Sequence, residues 1–278
     1  MEKFNTAMSI FERVKKEGEV APFIEEYGKG TPIITFVACM HGNEVVGLHI
    51  LEILRKQSIF QGTMRLVVAN PKAVFANKRY INHDLNRCFP GRKNGTYEER
   101  LAYRLEKQLS DSDFLVDLHT TTAQTPSFII VRQGQMQVKR LIEMTNIKRV
   151  VLRPRSGKAL IDHVRTGIGI ELGPHNDFLT LKRGVSSVFS VLSDLNMIKK
   201  KEKVGRQPVE YFTVNEVLPM FSNFKEADER IKNFCLIKEG DIIGIRNGVQ
   251  IKAKKDFYPI LYGESSYKNI LCWIGERV

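Results

Sequence analysis

Three short apolar runs in this chain lead into residues that a buried strand has no reason to carry. Thr31 to Cys39, TPIITFVAC, runs into His41-Gly42-Asn43-Glu44; Asp113 to Leu118, DFLVDL, stops at His119; Ile168 to Leu172, IGIEL, carries Glu171 and stops at Gly173-Pro174. Near-continuous apolar runs of strand length belong to strands covered on both faces, and so to a parallel sheet between helices. In open sheets of that kind, sites form beyond the carboxyl ends of the strands. Separate strands can therefore bring His41, Glu44, His119 and Glu171 to one edge.

The segments between these runs fit the same architecture. Glu44 to Gln57 has helical apolar spacing, and Met64 to Ala69 reads as a strand ended by Asn70-Pro71. A long polar loop rich in Arg and Asn continues to Gly95. Tyr97 to Leu109 reads as a helix with Glu98 and Glu99 in its first turn, where the helix dipole favours acids. Ser127 to Val131 and Arg149 to Leu152 are further short strands. The expected fold is α/β, with a mixed, mainly parallel sheet flanked by helices over roughly residues 1 to 200. Lys199 to Pro208, KKKEKVGRQP, reads as a linker. After it come short strand-like runs with Gly or Asn turns, such as EYFTVNEV, GDIIGIRNG and YPILYG, which predict a small β-rich second domain over roughly 205 to 278.

Composition excludes several classes. The apolar runs are too short to span a membrane, and the first twenty residues mix charge into apolar positions, as an amphipathic helix does and a signal peptide does not. Cys39, Cys88, Cys235 and Cys272 are widely spaced, with no C-x-x-C pair, which fits a reducing cytoplasm and no thiolate zinc site. The net charge of +12 would suit nucleic acid or a small anionic substrate. Residues 199 to 278 hold 15 basic and 11 acidic residues, about a third of the excess on under a third of the chain. A charge spread so evenly argues against a nucleic-acid patch.

Two histidines and a glutamate around one ion leave a position for water, the pattern of a catalytic zinc site. Asp117, two residues before His119, can serve as acceptor for an imidazole N–H, as metal-binding histidines need. His49 lies five positions after Glu44, on another helix face, and His83, His163 and His175 fall in loops.

Taken together, HGNE, NPKAVFANKRYINHDLNRCFPG, VDLHTTT and GIELGPH resemble the succinylglutamate desuccinylase/aspartoacylase family of zinc hydrolases, which is related in fold to the zinc carboxypeptidases. YPILYGESSY resembles that family's tail. The resemblance implies one Zn²⁺ held by His41, Glu44 and His119, with Arg79 polarising the scissile carbonyl and Glu171 as general base. It implies that Asn86 and Arg87 bind a carboxylate of a small anionic N-acyl amino acid, and that Tyr267 reaches substrate from the second domain. Members that are aspartoacylases carry an extra Arg ten positions before the general base; here that position is Ile161. The implied activity is removal of the acyl group from an N-acyl amino acid. The alternatives are a zinc carboxypeptidase or amidase acting on a peptide-like substrate, and a non-catalytic protein using its basic surface.

Overall fold

The computed structural model describes residues 9–17, 20–199, 208–220, 222, 224–226 and 231–278. The first part of the expected amphipathic helix and nearly all of the expected linker lie outside these residues. The chain opens with α1 (Ile10–Glu17), β1 (Phe23–Lys29), β2 (Ile33–Ala38), α2 (Val46–Leu54) and β3 (Gly62–Val68). It continues with α3 (Pro71–Phe75), α4 (Tyr97–Gln108), β4 (Phe114–Thr121), β5 (Phe128–Arg132), α5 (Lys139–Met144) and β6 (Arg149–Arg153). Next come β7 (Gly167–Pro174), α6 (Phe178–Asp194) and β8 (Glu210–Pro219). The last strands are β9 (Phe224–Glu226), β10 (Ile242–Arg246), β11 (Val249–Lys252), β12 (Tyr258–Ile260) and β13 (Ile270–Arg277).

Ten strands form one mixed sheet in the order β1-β3-β2-β4-β7-β5-β6-β8-β13-β12, and β11-β10-β9 form a second, small one. The run β3-β2-β4-β7 is parallel, β5 is antiparallel to β7, and β5-β6-β8 is parallel again. The α/β class and the β-rich C-terminal part are as expected. The large sheet runs from β6 into β8, so strands from the C-terminal part extend it. No helix among the described residues is long and apolar enough to cross a membrane.

Side-chain alternation divides the sheet into two faces. Ile34, Phe36, Val116, Leu118, Ile168 and Ile170 point into a core built with α2 and α6. The buried stripe of α6 (Thr180, Gly184, Ser187, Val188, Val191, Leu192) recurs at helical spacing against it. Val37, Val67 and Leu115 point the other way, under Leu101, Ala102 and Leu105 of α4. Thus α4 covers only the β3-β2-β4 part of that second face. Beyond it, β7, β5, β6 and β8 present their second face to a cleft.

The polar segment after β3 departs from a plain loop. Asn70 caps α3 by accepting the Ala73 N–H at 3.3 Å, and Pro71 occupies the first turn, where its missing N–H costs nothing. The chain from there to α4 is held by Glu98, which is fully buried. Its carboxylate accepts the N–H groups of Ile81 (2.7 Å), Asn82 (3.0 Å) and His83 (3.2 Å), as well as the Asn70 side-chain amide at 3.4 Å. Glu98→Ala strips these donors of their acceptor and is expected to cost about 2–4 kcal/mol of unfolding free energy in urea. A cost below about 1 kcal/mol would show that the segment holds itself.

Candidate active site

Parallel pairing sets Ala38 opposite Leu118 on β2 and β4, and His119 opposite Glu171 on β4 and β7. His119 therefore belongs to the end of a strand, where the sequence reading put it just after one. His41 and Glu44 occupy the tight connection from β2 to α2, with the Glu44 N–H donating to the His41 carbonyl at 3.1 Å. Gly42 between them is required by close approach: a β-carbon there would overlap the backbone of Ala73 in α3. The Gly42 N–H donates to the Arg79 carbonyl at 3.1 Å, which ties this connection to the loop that carries Arg79.

The Glu44 carboxylate is the centre of the cluster and is 2% exposed. Oε1 lies 2.6 Å from His41 Nδ1 and 3.3 Å from Arg79 Nη1. Oε2 lies 3.2 Å from His119 Nδ1 and accepts the Thr120 N–H at 3.0 Å. The far nitrogens of both rings meet carboxylates: His41 Nε2 is 3.1 Å from Asp84 Oδ1, and His119 Nε2 is 2.8 Å from Asp117 Oδ2. Carboxylates at Nε2 direct the proton there and leave both Nδ1 lone pairs facing Glu44. Donor atoms of His41, Glu44 and His119 all fall within 4.8 Å of one another. This buried set of two imidazoles and one carboxylate fits a divalent metal such as zinc, with the outer carboxylates that such ligands require.

Electrostatics point the same way. Burial disfavours a charged Glu44, but the charges and hydrogen bonds of His41 and His119 outweigh it and hold the carboxyl well below its usual range. Burial works against protonation of His119, yet Asp117 and Glu44 lift it well above the ordinary imidazole value. His41 is lifted likewise by Glu44 and Asp84. The pocket thus concentrates negative charge that histidine protons or a cation must balance. Glu171 behaves in the opposite sense. Burial pushes its carboxyl up to about 8; the charge of His119 offsets part of this, and Glu44 and Glu264 add to it. Its Oε2 is buried and has no hydrogen-bond partner among the described residues.

All eight residues singled out from the sequence line one cavity of about 330 Å³. Arg79 bridges Glu44 and, at 3.2 Å, Asp84. Asn86 uses its side-chain oxygen to accept the Leu160 N–H at 3.0 Å and sets its amide nitrogen 3.4 Å from His119 Nε2. Arg87 donates to the Asn86 carbonyl at 2.8 Å and makes no ion pair among the described residues. Tyr267 stacks on Trp273 with ring centroids 6.2 Å apart, and burial raises its hydroxyl to about 12.

Two acids that the sequence reading did not single out complete the site. Asp84 stands in the same DLNR segment as Asn86 and Arg87, and joins His41 to Arg79. Glu264 stands three residues before Tyr267 and accepts the Thr122 N–H (2.8 Å), the Ser266 N–H (2.9 Å) and the Thr121 hydroxyl. It pins the Tyr267 segment to the end of β4. Of the remaining histidines, His49 and His83 are exposed, His163 bonds the Gly157 carbonyl at 2.9 Å and His175 bonds the Thr120 hydroxyl at 2.6 Å.

A family model described as the succinylglutamate desuccinylase/aspartoacylase catalytic domain matches residues 31–191, more than half of the chain. An N-acyl-aromatic-L-amino acid amidohydrolase (carboxylate-forming) A of Danio rerio is 34% identical, over 82% of this chain and 83% of its own. A probable aspartoacylase of Prochlorococcus marinus (strain NATL1A) is 30% identical over 58% of this chain and 60% of its own. Among solved structures, a succinylglutamate desuccinylase/aspartoacylase from Rhodobacter sphaeroides shares the fold, with a TM-score of 0.73 at 18% identity, covering 92% of this chain and 88% of that one. The match spans β2 to α6, including the β2–α2 connection that carries His41 and the strands that carry His119 and Glu171, and the chain belongs to the succinylglutamate desuccinylase/aspartoacylase family.

Proposed function

We propose that this protein is a zinc-dependent amidohydrolase that removes the acyl group from an N-acyl amino acid, releasing a carboxylate and a free amino acid. The observation that carries the reading is the convergence of His41, Glu44 and His119 donors beside Glu171, the neighbour of His119 across β4 and β7. Zinc bound by those three residues would supply a Lewis acid that polarises the acyl carbonyl and lowers the pKa of water.

This chain's own residues do the rest. Glu171 takes a proton from the attacking water and passes it to the amine as the carbon–nitrogen bond breaks. Burial raises the Glu171 carboxyl above the usual carboxylate range, which makes its ionised form a stronger base than a solvated carboxylate. Arg79, held beside Glu44 and Asp84, donates to the oxygen on which negative charge develops. Arg87 and the Asn86 amide N–H receive the carboxylate of the amino-acid part, with the Asn86 side-chain oxygen fixed by the Leu160 N–H. Tyr267 closes the site from the C-terminal segment fastened by Glu264. In this reading the catalytic unit covers roughly residues 1 to 200 and a β-rich unit roughly 205 to 278 borders the substrate channel. The cysteines among the described residues are all free, in keeping with a cytoplasmic location.

Two variants test the assignment. His119→Ala is expected to lose both metal content and deacylation. Glu171→Gln is expected to keep one zinc per chain, by elemental analysis, and to lose about 10²–10⁴-fold in kcat; full turnover would remove Glu171 as the base. Activity on C-terminal peptides in place of N-acyl amino acids would transfer the assignment to a carboxypeptidase.

Glu171 also gives a pH signature in the metal-free protein. Its folded-state value of about 8 stands above the ordinary 4.5. Between those values the unfolded chain has released the proton and the folded chain still holds it, so this group's contribution to stability falls as pH rises through the window. Urea unfolding of metal-free wild type and Glu171→Gln across pH 4.5–8 should therefore show the variant gaining relative stability with rising pH. A constant difference across the series would mean that Glu171 ionises normally.

A further inference from the structure

We infer that the substrate carries a single carboxylate and is otherwise uncharged and apolar, so that N-acetylaspartate and N-succinylglutamate are poor substrates. This deepens the deacylase reading above and rests on it.

A dicarboxylic substrate needs two cationic seats. Three arginines line the cavity: Arg79, Arg87 and Arg153. Arg79 already faces Glu44 and Asp84. Arg153 is occupied as well. Its Nη2 lies 3.2 Å from Oδ1 of Asp162, a fully buried side chain, and its Nη1 donates to the Pro154 carbonyl at 2.9 Å. Asp162 is in turn fixed by the Ser156 hydroxyl at 2.8 Å and the Gly157 N–H at 3.0 Å, so Arg153 cannot turn to a ligand without uncovering a buried carboxylate. Arg87 alone of the three has no carboxylate partner among the described residues. One substrate carboxylate is therefore provided for.

The rest of the cavity is built for apolar groups. Its floor is the part of the sheet face that α4 leaves bare. Glu171 is followed on that face of β7 by Gly169, whose missing side chain opens the floor next to Ile130, 3.8 Å from where a β-carbon would stand. Beyond Ile130 the face passes to Val214 of β8 and Trp273 of β13, in one hydrophobic cluster. Ile161 closes the cavity over Gly167, 3.7 Å from the β-carbon that glycine lacks. Four strand spacings separate β4 from β8, about 19 Å at ~4.8 Å each, far more than a metal site alone needs. Of the charged groups on this side, Arg153 is engaged by Asp162, and Glu216 and Glu264 are acids, Glu216 itself paired with Lys255 at 3.1 Å, so none offers a second carboxylate an unengaged cation.

The test compares kcat/KM of the zinc-loaded protein for N-acetyl-phenylalanine, N-acetyl-leucine and N-hexanoyl-leucine with that for N-acetyl-aspartate and N-succinyl-glutamate. In parallel, calorimetry measures binding of the same compounds to Glu171→Gln. We expect the apolar compounds to lead by at least tenfold in both readouts, and Ile161→Arg to narrow the gap. Preference for the dicarboxylic compounds in either readout would overturn the inference and leave the deacylase reading standing. Hydrolysis of none of the five would overturn the deacylase reading, and the calorimetric order would still decide which class the pocket accepts.

Discussion

The register between β4 and β7, which sets His119 beside Glu171, is the constraint that the rest of the fold serves. A slip of one residue in either strand would turn its own side chain, His119 or Glu171, into the apolar core against α2 and α6 and bring a core residue such as Leu118 or Ile170 to the site. That error is costly because the covered face is continuous and dry, with Val116, Leu118, Ile168 and Ile170 all buried. The helix-covered face therefore enforces the geometry of the opposite one. Because α4 spans only part of that opposite face, the same sheet that positions the reactive groups also supplies the floor on which a substrate lies.

The buried charges are tolerable because almost every one has a partner. Glu44, Asp84 and Asp117 would be prohibitive in isolation, but two imidazoles, Arg79 and the Thr120 N–H meet their oxygens. The unmatched group is Glu171, whose buried oxygen has no donor among the described residues and whose carboxyl is pushed upward. Asp117 is matched at Oδ2 only, its Oδ1 being buried without a partner among the described residues, but Glu171 has no hydrogen bond at either oxygen there, and such a group is where reactivity is expected. Glu98 plays the complementary part away from the chemistry, collecting backbone donors so that the Arg79 and Asp84 loop has one shape.

His41, Glu44 and His119 were legible as positions because polar residues follow directly on apolar runs: His41 and Glu44 in the connection after β2, and His119 near the end of β4. Helix α4 was legible from its acidic first turn, although its Glu98 bonds a neighbouring loop and not merely the helix dipole. Partners were harder to read than positions. Asn86 was read as a substrate-binding residue, and its side-chain oxygen also accepts the Leu160 N–H, a long-range contact with no sequence signal. Asp84 and Glu264 carried no periodic signal, since a lone acid in a loop looks the same whether it meets solvent or a buried donor. Strands β1 and β13 lie outside the runs read from sequence. β1 is an edge strand of mixed polarity, and β13 mixes Trp273 and Gly275 with a charged end. The parallel pairing of β6 with β8 has no local signature at all, because it joins segments about sixty residues apart.

The most direct measurement is the anomalous diffraction signal at the zinc absorption edge from crystals of the zinc-loaded protein. We expect one peak per chain, in contact with Nδ1 of both His41 and His119 and with the Glu44 carboxylate, with Asp84 and Asp117 remaining on the Nε2 atoms. A peak at another cluster, coordination through Nε2, or no peak at full zinc loading would contradict the metal centre on which the assignment of function depends.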